Sequence, residues 1–183
     1  MILTPRFLAP ALAGLALVAQ LALAPAAVAG PKIEQWIAPS GARVSFVESR
    51  ALPLVDIQID FAAGSAFEPA DKAGLAGLTR SLLDAGTTAL DEQQIAERIA
   101  DIGAQIGGST DNDRSGLSIR SLSSPPERDA AVDLAATLLA QPAFPPEILE
   151  RERRRAIAGL REALTKPATL AARRFNEALY SGH

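Results

Sequence analysis

Residues 74–87, GLAGLTRSLLDAGT, combine apolar residues at helical spacing with an abrupt exit through Ala-Gly-Thr. This pattern predicts a helix over residues 72–83. Residues three and four apart share one face of a helix, so Gly77, Arg80 and Ser81 are placed together on this one. The strands and helices on either side decide what this helix packs against.

Strand patterns precede the helix. Residues 33–39 and 42–48 are predicted to form two short strands around a glycine turn. Residues 54–62 alternate apolar and polar side chains, which is the period of a half-buried strand. The apolar positions of this strand are Val55, Ile57, Ile59 and Phe61. One face of the predicted sheet must therefore be covered.

Two further strands are predicted downstream, at residues 104–109 and 117–123, joined by a polar turn. Gly103, Gly107 and Gly108 lie at the first of them. They do not form a phosphate loop, because no Gly-Lys-Ser/Thr sequence follows. They instead indicate close backbone approach or a bulge.

Helices are predicted over residues 91–102, with Asp91 as the N-cap, and over residues 126–140. The apolar stripe of the second helix is predicted to be Val132, Leu134, Leu138 and Leu139. A proline pair begins a long helix that runs to about residue 165, and Pro167 separates it from a last helix. The alternation predicts an α+β fold, a mostly antiparallel sheet with helices packed on one side.

Two charged patterns each allow two interpretations. Asp111 and Asp113 in the polar turn suit either a calcium site or two solvated turn carboxylates, and a calcium loop needs more oxygen ligands than this turn offers. The run at residues 150–155, ERERRR, suits either an anionic partner or a solvated helix face with pairs four residues apart. We favour the second interpretation in both cases.

The N-terminus has the pattern of an export signal. Arg6 precedes a long apolar run, and Ala27-Val28-Ala29 is a small-x-small cleavage site. We predict a signal peptide at residues 1–29, cleaved after Ala29, and a bacterial protein that is periplasmic or secreted. An uncleaved membrane anchor is the alternative, because the apolar run is nearly long enough to span a bilayer.

Composition excludes several classes of function. The chain has no cysteine, so it forms no disulfide and offers no thiolate nucleophile or ligand. A net charge of −3 and few aromatic residues argue against nucleic-acid binding. The one histidine, His183, is the last residue, which leaves no believable Ser-His-Asp arrangement. Residues 30–183 are long enough for one domain.

The order and spacing of these segments resemble the family of pitrilysin, insulin-degrading enzyme and mitochondrial processing peptidase, and in particular its bacterial periplasmic members. The resemblance rests on the strands at residues 44–48 and 55–61 and on the Ala63-Gly64-Ser65 turn that follows them. It also rests on the Gly-Leu-Ala start and Ala-Gly-Thr exit of the quoted segment, and on the helix ending at Gly103. It implies a metallohydrolase-like N-terminal domain over residues 30–183. The family pattern continues beyond Tyr180-Ser181-Gly182-His183, so the domain is expected to be truncated at its C-terminus.

In this family the quoted helix carries the zinc motif H-x-x-E-H, in which two histidines bind zinc and the glutamate activates water. The matching positions here are Gly77, Arg80 and Ser81. The family's third ligand, a glutamate on the long helix, matches Ala158, next to Gly159. The resemblance therefore implies no catalytic residue and no metal ligand in this chain, with zinc expected in a catalytic partner.

The resemblance also implies a function. The leading hypothesis is a non-catalytic homologue that pairs with a catalytic H-x-x-E-H subunit, or with a second copy of the same fold, and helps to bind peptide. The family's edge strand, which takes up peptide, matches Gly107, Gly108 and Ser109. One alternative is a zinc metalloendopeptidase active through parts outside this chain. Another is a structural scaffold module.

Overall fold

The structure is a computed structural model that describes residues 30–181. The chain divides into one unit that ends at Ala51 and a second that begins at Leu52. None of the helices within residues 30–181 has the length and apolar content needed to cross a bilayer. The predicted signal peptide, its cleavage site and the alternative membrane anchor lie outside the described residues, as does His183.

The first unit contains a β-hairpin. Strand β1, Ile33–Ile37, pairs antiparallel with β2, Arg43–Val47. The turn between them contains Gly41 at a φ of +86°, a conformation that glycine adopts without strain. The two strands predicted around a glycine turn are confirmed, each slightly shorter than expected.

The second unit is built on a three-stranded antiparallel sheet. Its strands are β3, Leu54–Phe61, β4, Gln105–Gly107, and β5, Ser115–Leu122. The order is β3-β5-β4, so β5 is central and β4 is an edge of this sheet. The register aligns Ile57, Ile119 and Ile106 across it. The prediction of a strand over residues 104–109 was wrong in length, because only three of those residues keep regular pairing.

Five helices and a short 3-10 turn, Ser65–Phe67, complete the described residues. The helices are α1, Leu75–Leu82, α2, Glu92–Ile102, α3, Pro125–Ala140, α4, Pro146–Ala163, and α5, Pro167–Leu179. Asp91 caps α2 through a reciprocal capping box with Gln94, as predicted. Prolines occupy the first turn of α3, α4 and α5, where their missing N–H leaves no hydrogen bond unmade.

Helix α1 begins three residues later than predicted because its N-terminus is capped from a distance. The carboxylate of Glu68 accepts hydrogen bonds from the backbone N–H of Gly74, at 2.8 Å, and of Ala76, at 2.6 Å. Gly74 has a φ of +94°, so the chain turns sharply there before entering the helix. A carboxylate at this end also opposes the positive pole of the helix dipole.

One face of the sheet is the core. Leu117 and Ile119 of β5 pack with Ala131 and Ala135 of α3, and both strand residues are almost completely buried. The prediction of an α+β fold with helices packed on one side of the sheet is confirmed. The placement of Val132 on the buried stripe was wrong, since it is 38% exposed. It lies directly after Ala131, so the helix rotation carries it away from the buried positions Ala131 and Leu138.

The charged run on α4 is only in part a solvated face. Arg153 and Arg155 pair with glutamates three residues before them, as expected for an exposed helix. Arg151 instead reaches α2 and donates two hydrogen bonds to Glu92, at 2.6 and 2.9 Å. This forked pair joins α2 to α4 and holds the pKa of Glu92 below its usual range.

The Glu92–Arg151 pair predicts a pH dependence of stability. Because the pKa of Glu92 is lower in the folded chain than its ordinary value of 4.5, its contribution is complete above that value and is lost as the pH falls. We expect Glu92→Gln to lower the free energy of unfolding by about 0.5–1 kcal/mol near pH 7, given the partial exposure of both side chains. The difference from wild type should disappear at a pH below the lowered pKa of Glu92 in the folded chain.

Urea titrations at the two pH values measure this effect. Glu97→Gln is the matched control, since Glu97 lies on the same helix and accepts a hydrogen bond from Gln93 of that helix. An equal loss in both variants would contradict a role for the pair between helices.

Candidate functional site

The positions of the zinc motif lie on α1, which packs against α4. Gly77 and Ser81 are exposed, and Gly77 has no side chain to offer. The Ser81 hydroxyl donates to the carbonyl of Leu78 in its own helix, at 2.9 Å. Ala158 is exposed on α4 and carries only a methyl group. Within residues 30–181 no group of three or more His, Cys, Asp or Glu side chains is placed to hold a metal ion.

Arg80, which the resemblance aligns with the motif's glutamate, is buried. Only 9% of the residue is exposed. Its Nε has no hydrogen-bond partner among the described residues. The carboxylate of Asp84 is 4.0 Å from Nη1, which is beyond hydrogen-bonding distance. The guanidinium is always protonated, so this is a buried cation with weak compensation.

The burial of Arg80 was not predicted, although the sequence contains a signal for it. Arg80 follows Ala76 by four residues and precedes Leu83 by three, which places it on the apolar side of α1. Gly77 and Ser81 lie further round the helix and face outward. The three motif positions therefore border one another without sharing the same environment.

Gly108 brings the end of β4 against Arg80. A β-carbon on Gly108 would lie 2.6 Å from Arg80 Nε and would collide with the carbonyl of Gly116 on β5. Its φ of +154° is one that other residues rarely adopt. The predicted close backbone approach is confirmed for Gly108. It was wrong for Gly103, which ends α2 in the left-handed conformation with open space around it.

The strand predicted to bind peptide is an open edge. Among the described residues β4 pairs only with β5, through Gln105, Ile106 and Gly107. Gly108 and Ser109 lie beyond regular pairing, and the Ser109 carbonyl accepts from the N–H of Gly116 at 2.9 Å. The outer N–H and C=O groups of β4 are therefore available to another strand.

The polar face of the sheet forms a shallow groove of about 510 Å³ beside this edge. Asp56 of β3 and Arg120 of β5 make a forked pair across it, with bonds of 2.6 and 3.1 Å. Arg120 lowers the pKa of Asp56. Both groups are exposed, so this pair contributes little to stability. Its two opposite charges cancel, so the pair adds no net charge to the groove.

The Asp111 carboxylate forms hydrogen bonds within the polar turn between β4 and β5. Asp111 accepts hydrogen bonds from the backbone N–H of Asp113 and Arg114, at 2.8 and 2.7 Å, and these lower its pKa. Its carboxylate therefore closes the turn, in keeping with the interpretation of Asp111 as a turn carboxylate.

Glu68, the cap of α1, was not predicted because it acts across a loop.

Gly77 predicts a local effect on stability. It stands inside α1, and a β-carbon there would meet nothing within 4 Å. We expect Gly77→Ala to raise the free energy of unfolding by about 0.5–1 kcal/mol, because alanine loses less conformational freedom in a helix. Urea denaturation measures the change.

Gly159→Ala on α4 provides the comparison, since that site is equally open. A gain at position 159 with a loss at position 77 would show that Gly77 is required for packing. Equal gains would show that neither glycine is needed by the fold.

Comparisons with known proteins agree with this geometry. The family profile of Insulinase (Peptidase family M16) matches residues 43–183. Among curated proteins, none matches the chain. The crystal structure of a peptidase M16 inactive domain from Pseudomonas fluorescens is 34% identical, with a TM-score of 0.78 over 83% of this chain and 37% of that one.

A second solved structure, a protease from Helicobacter pylori, is 20% identical, with a TM-score of 0.66 over 80% of this chain and 35% of that one. At this identity the likeness shows the fold alone. The chain spans little more than a third of the length of either structure. Because the family profile covers most of the chain, and the strands and helices follow in the order expected from the sequence, the chain belongs to the insulinase family of peptidases, M16.

Proposed function

We propose that this chain is a non-catalytic M16 homologue that pairs with a catalytic H-x-x-E-H subunit and helps to bind extended peptide. The observation that supports the proposal is that the residues at the positions which the resemblance assigns to zinc offer no ligand set, while the neighbouring strand is an edge of its sheet. Gly77 and Ala158 have no donor atom, and Arg80 is a buried cation where the family has its base. The adjacent strand β4 has a free edge among the residues that the structure describes.

The argument against catalysis by these residues is chemical. Zinc in a peptidase needs three protein ligands through N, O or S, and a bound water that a base can deprotonate. A guanidinium stays protonated and cannot accept that proton. A positive charge at position 80 would also oppose a metal cation nearby. Zinc is accordingly expected in the partner subunit.

The argument for peptide binding is that the outer side of β4 is unpaired among the described residues. An extended peptide can add to a free strand through main-chain hydrogen bonds, which requires no particular side chain on the strand itself. Gly107 is paired with β5 on one side only among the described residues, and Gln105, two residues before it on β4, is exposed. The similar structure from Pseudomonas fluorescens is an inactive domain of an M16 peptidase, which supports a non-catalytic assignment.

The family resemblance supports pairing, because members of this family often combine one active and one inactive half to enclose peptide. A second copy of the same fold is the other partner that the resemblance allows. The export signal expected at residues 1–29 would place both subunits in the periplasm or outside the cell.

The test measures zinc content and hydrolysis of a quenched fluorescent peptide. The protein is assayed alone and then mixed with any H-x-x-E-H homologue that is encoded beside it in the genome, and that homologue is also assayed by itself. We expect zinc and hydrolysis only when the H-x-x-E-H protein is present, with a higher rate in the mixture and co-elution of the two chains. Stoichiometric zinc and chelator-sensitive hydrolysis by this chain alone would overturn the proposal.

A further inference from the structure

The guanidinium of Arg80 lacks a partner of opposite charge in contact with it. Its Nε is buried and unpaired among the described residues, and Asp84 at 4.0 Å is itself 39% exposed at its side chain. An arginine that is nine-tenths buried normally makes forked hydrogen bonds to a carboxylate or to carbonyl groups. Leaving it incompletely paired costs free energy that the fold has to offset.

The position of this cation connects it to the edge strand. Gly108 lies against Arg80 Nε, and Gly108 directly follows the last residue of β4. Neither Gly107 nor Gly108 has a side chain that would cover the guanidinium. Among the described residues, a peptide paired with the free edge of β4 therefore passes close to a buried positive charge whose one ion pair, with Asp84, is loose.

We propose that Arg80 binds a carboxylate of the peptide that adds to β4, so that this chain selects acidic peptides. The inference rests on the peptide binding proposed above and names its chemical class. A carboxylate matches the planar donor fork of arginine and is the negative group that peptides carry, on Asp or Glu side chains or at the C-terminus. Removal from water strengthens such a pair.

Asp84 does not already fill this role. It lies one turn after Arg80 on the same side of the helix region, but its carboxylate is too far from Nη1 for a hydrogen bond. An incoming carboxylate would make the bonds that Asp84 does not. The exposed forked pair of Asp56 and Arg120 is already neutralised and offers no comparable attraction.

The test uses fluorescein-labelled peptides of Thr, Ser, Val and Gln that carry a single Glu at successive positions, with an all-neutral peptide as reference. Each is made with a C-terminal amide and with a free carboxylate, and dissociation constants are measured by fluorescence anisotropy on the full protein. We expect one Glu position to bind about tenfold more tightly than the neutral amide. If only the free C-terminus gives this gain, the site recognises chain ends.

The variants separate charge from structure. Arg80→Gln should abolish the preference for the carboxylate, and Arg80→Lys should keep part of it as a point charge. Arg98→Gln, an exposed arginine on α2, is the matched control and should leave it unchanged. Neutral and acidic peptides that bind equally to wild type would overturn this inference and leave the proposed function standing. Failure of every peptide to bind would overturn both.

Discussion

Gly108→Ala is expected to lower the free energy of unfolding by about 3 kcal/mol, because the new methyl group would collide with backbone that has little room to move. The β-carbon would meet the carbonyl oxygen of Gly116 and come within 2.9 Å of its carbonyl carbon. The φ of +154° adds a strain that alanine relieves only by changing the backbone. Urea denaturation measures the loss, and hydrogen exchange of β4 should increase with it.

Gly103→Ala is the matched control for this prediction. It also places a methyl group at a positive φ, +67°, but nothing lies within 4 Å. Its cost should be only the conformational one, about 1 kcal/mol. Equal losses at the two positions would show that backbone conformation alone, and not the approach of β4 to β5, accounts for the effect at Gly108.

Arg80→Met is expected to have the opposite sign and to raise the free energy of unfolding by about 2 kcal/mol. Methionine fills a similar volume without a charge, so the buried site no longer holds a cation whose nearest carboxylate is 4.0 Å away. The same substitution should weaken binding of acidic peptides. A residue that costs stability and contributes to binding is the usual pattern at functional sites.

The control is Arg98→Met, which removes an arginine from the exposed face of α2 and should change the free energy of unfolding by less than about 0.5 kcal/mol. Thermal and urea denaturation of both variants give the comparison. A loss of stability in Arg80→Met would mean that the guanidinium is satisfied inside the folded chain, and it would remove the physical basis for assigning it a carboxylate ligand.

The sequence predicted those parts of the fold that local patterns determine. The period of two across residues 54–62 identified β3 because one of its faces is partly buried and the other is exposed to solvent. Asp91 was recognised as an N-cap because capping acts within three residues. The resemblance placed the lost zinc positions on α1 and α4, where the structure also finds those residues.

The remaining features depend on contacts between distant segments. The regular pairing of β4 ends at Gly107, and the next residue, Gly108, packs against Gly116 of β5, a contact that no local pattern encodes. Val132 was misplaced because α3 is rich in alanine and apolar residues on several sides, so composition does not define a single stripe. The cap from Glu68 and the pair of Glu92 with Arg151 join segments separated by a loop or by a whole hairpin.

The glycine packing at the end of the sheet determines where a spectroscopic probe can be attached. A β-carbon on Gly116 would come within 2.8 Å of the backbone carbonyl oxygen of Ile59, just as one on Gly108 would collide with the backbone carbonyl of Gly116. Gln105, which lies on β4 three residues before Gly108, is exposed. Since the chain contains no cysteine, a single cysteine introduced at Gln105 would be its only thiol, and a label there would report directly on whatever strand approaches β4.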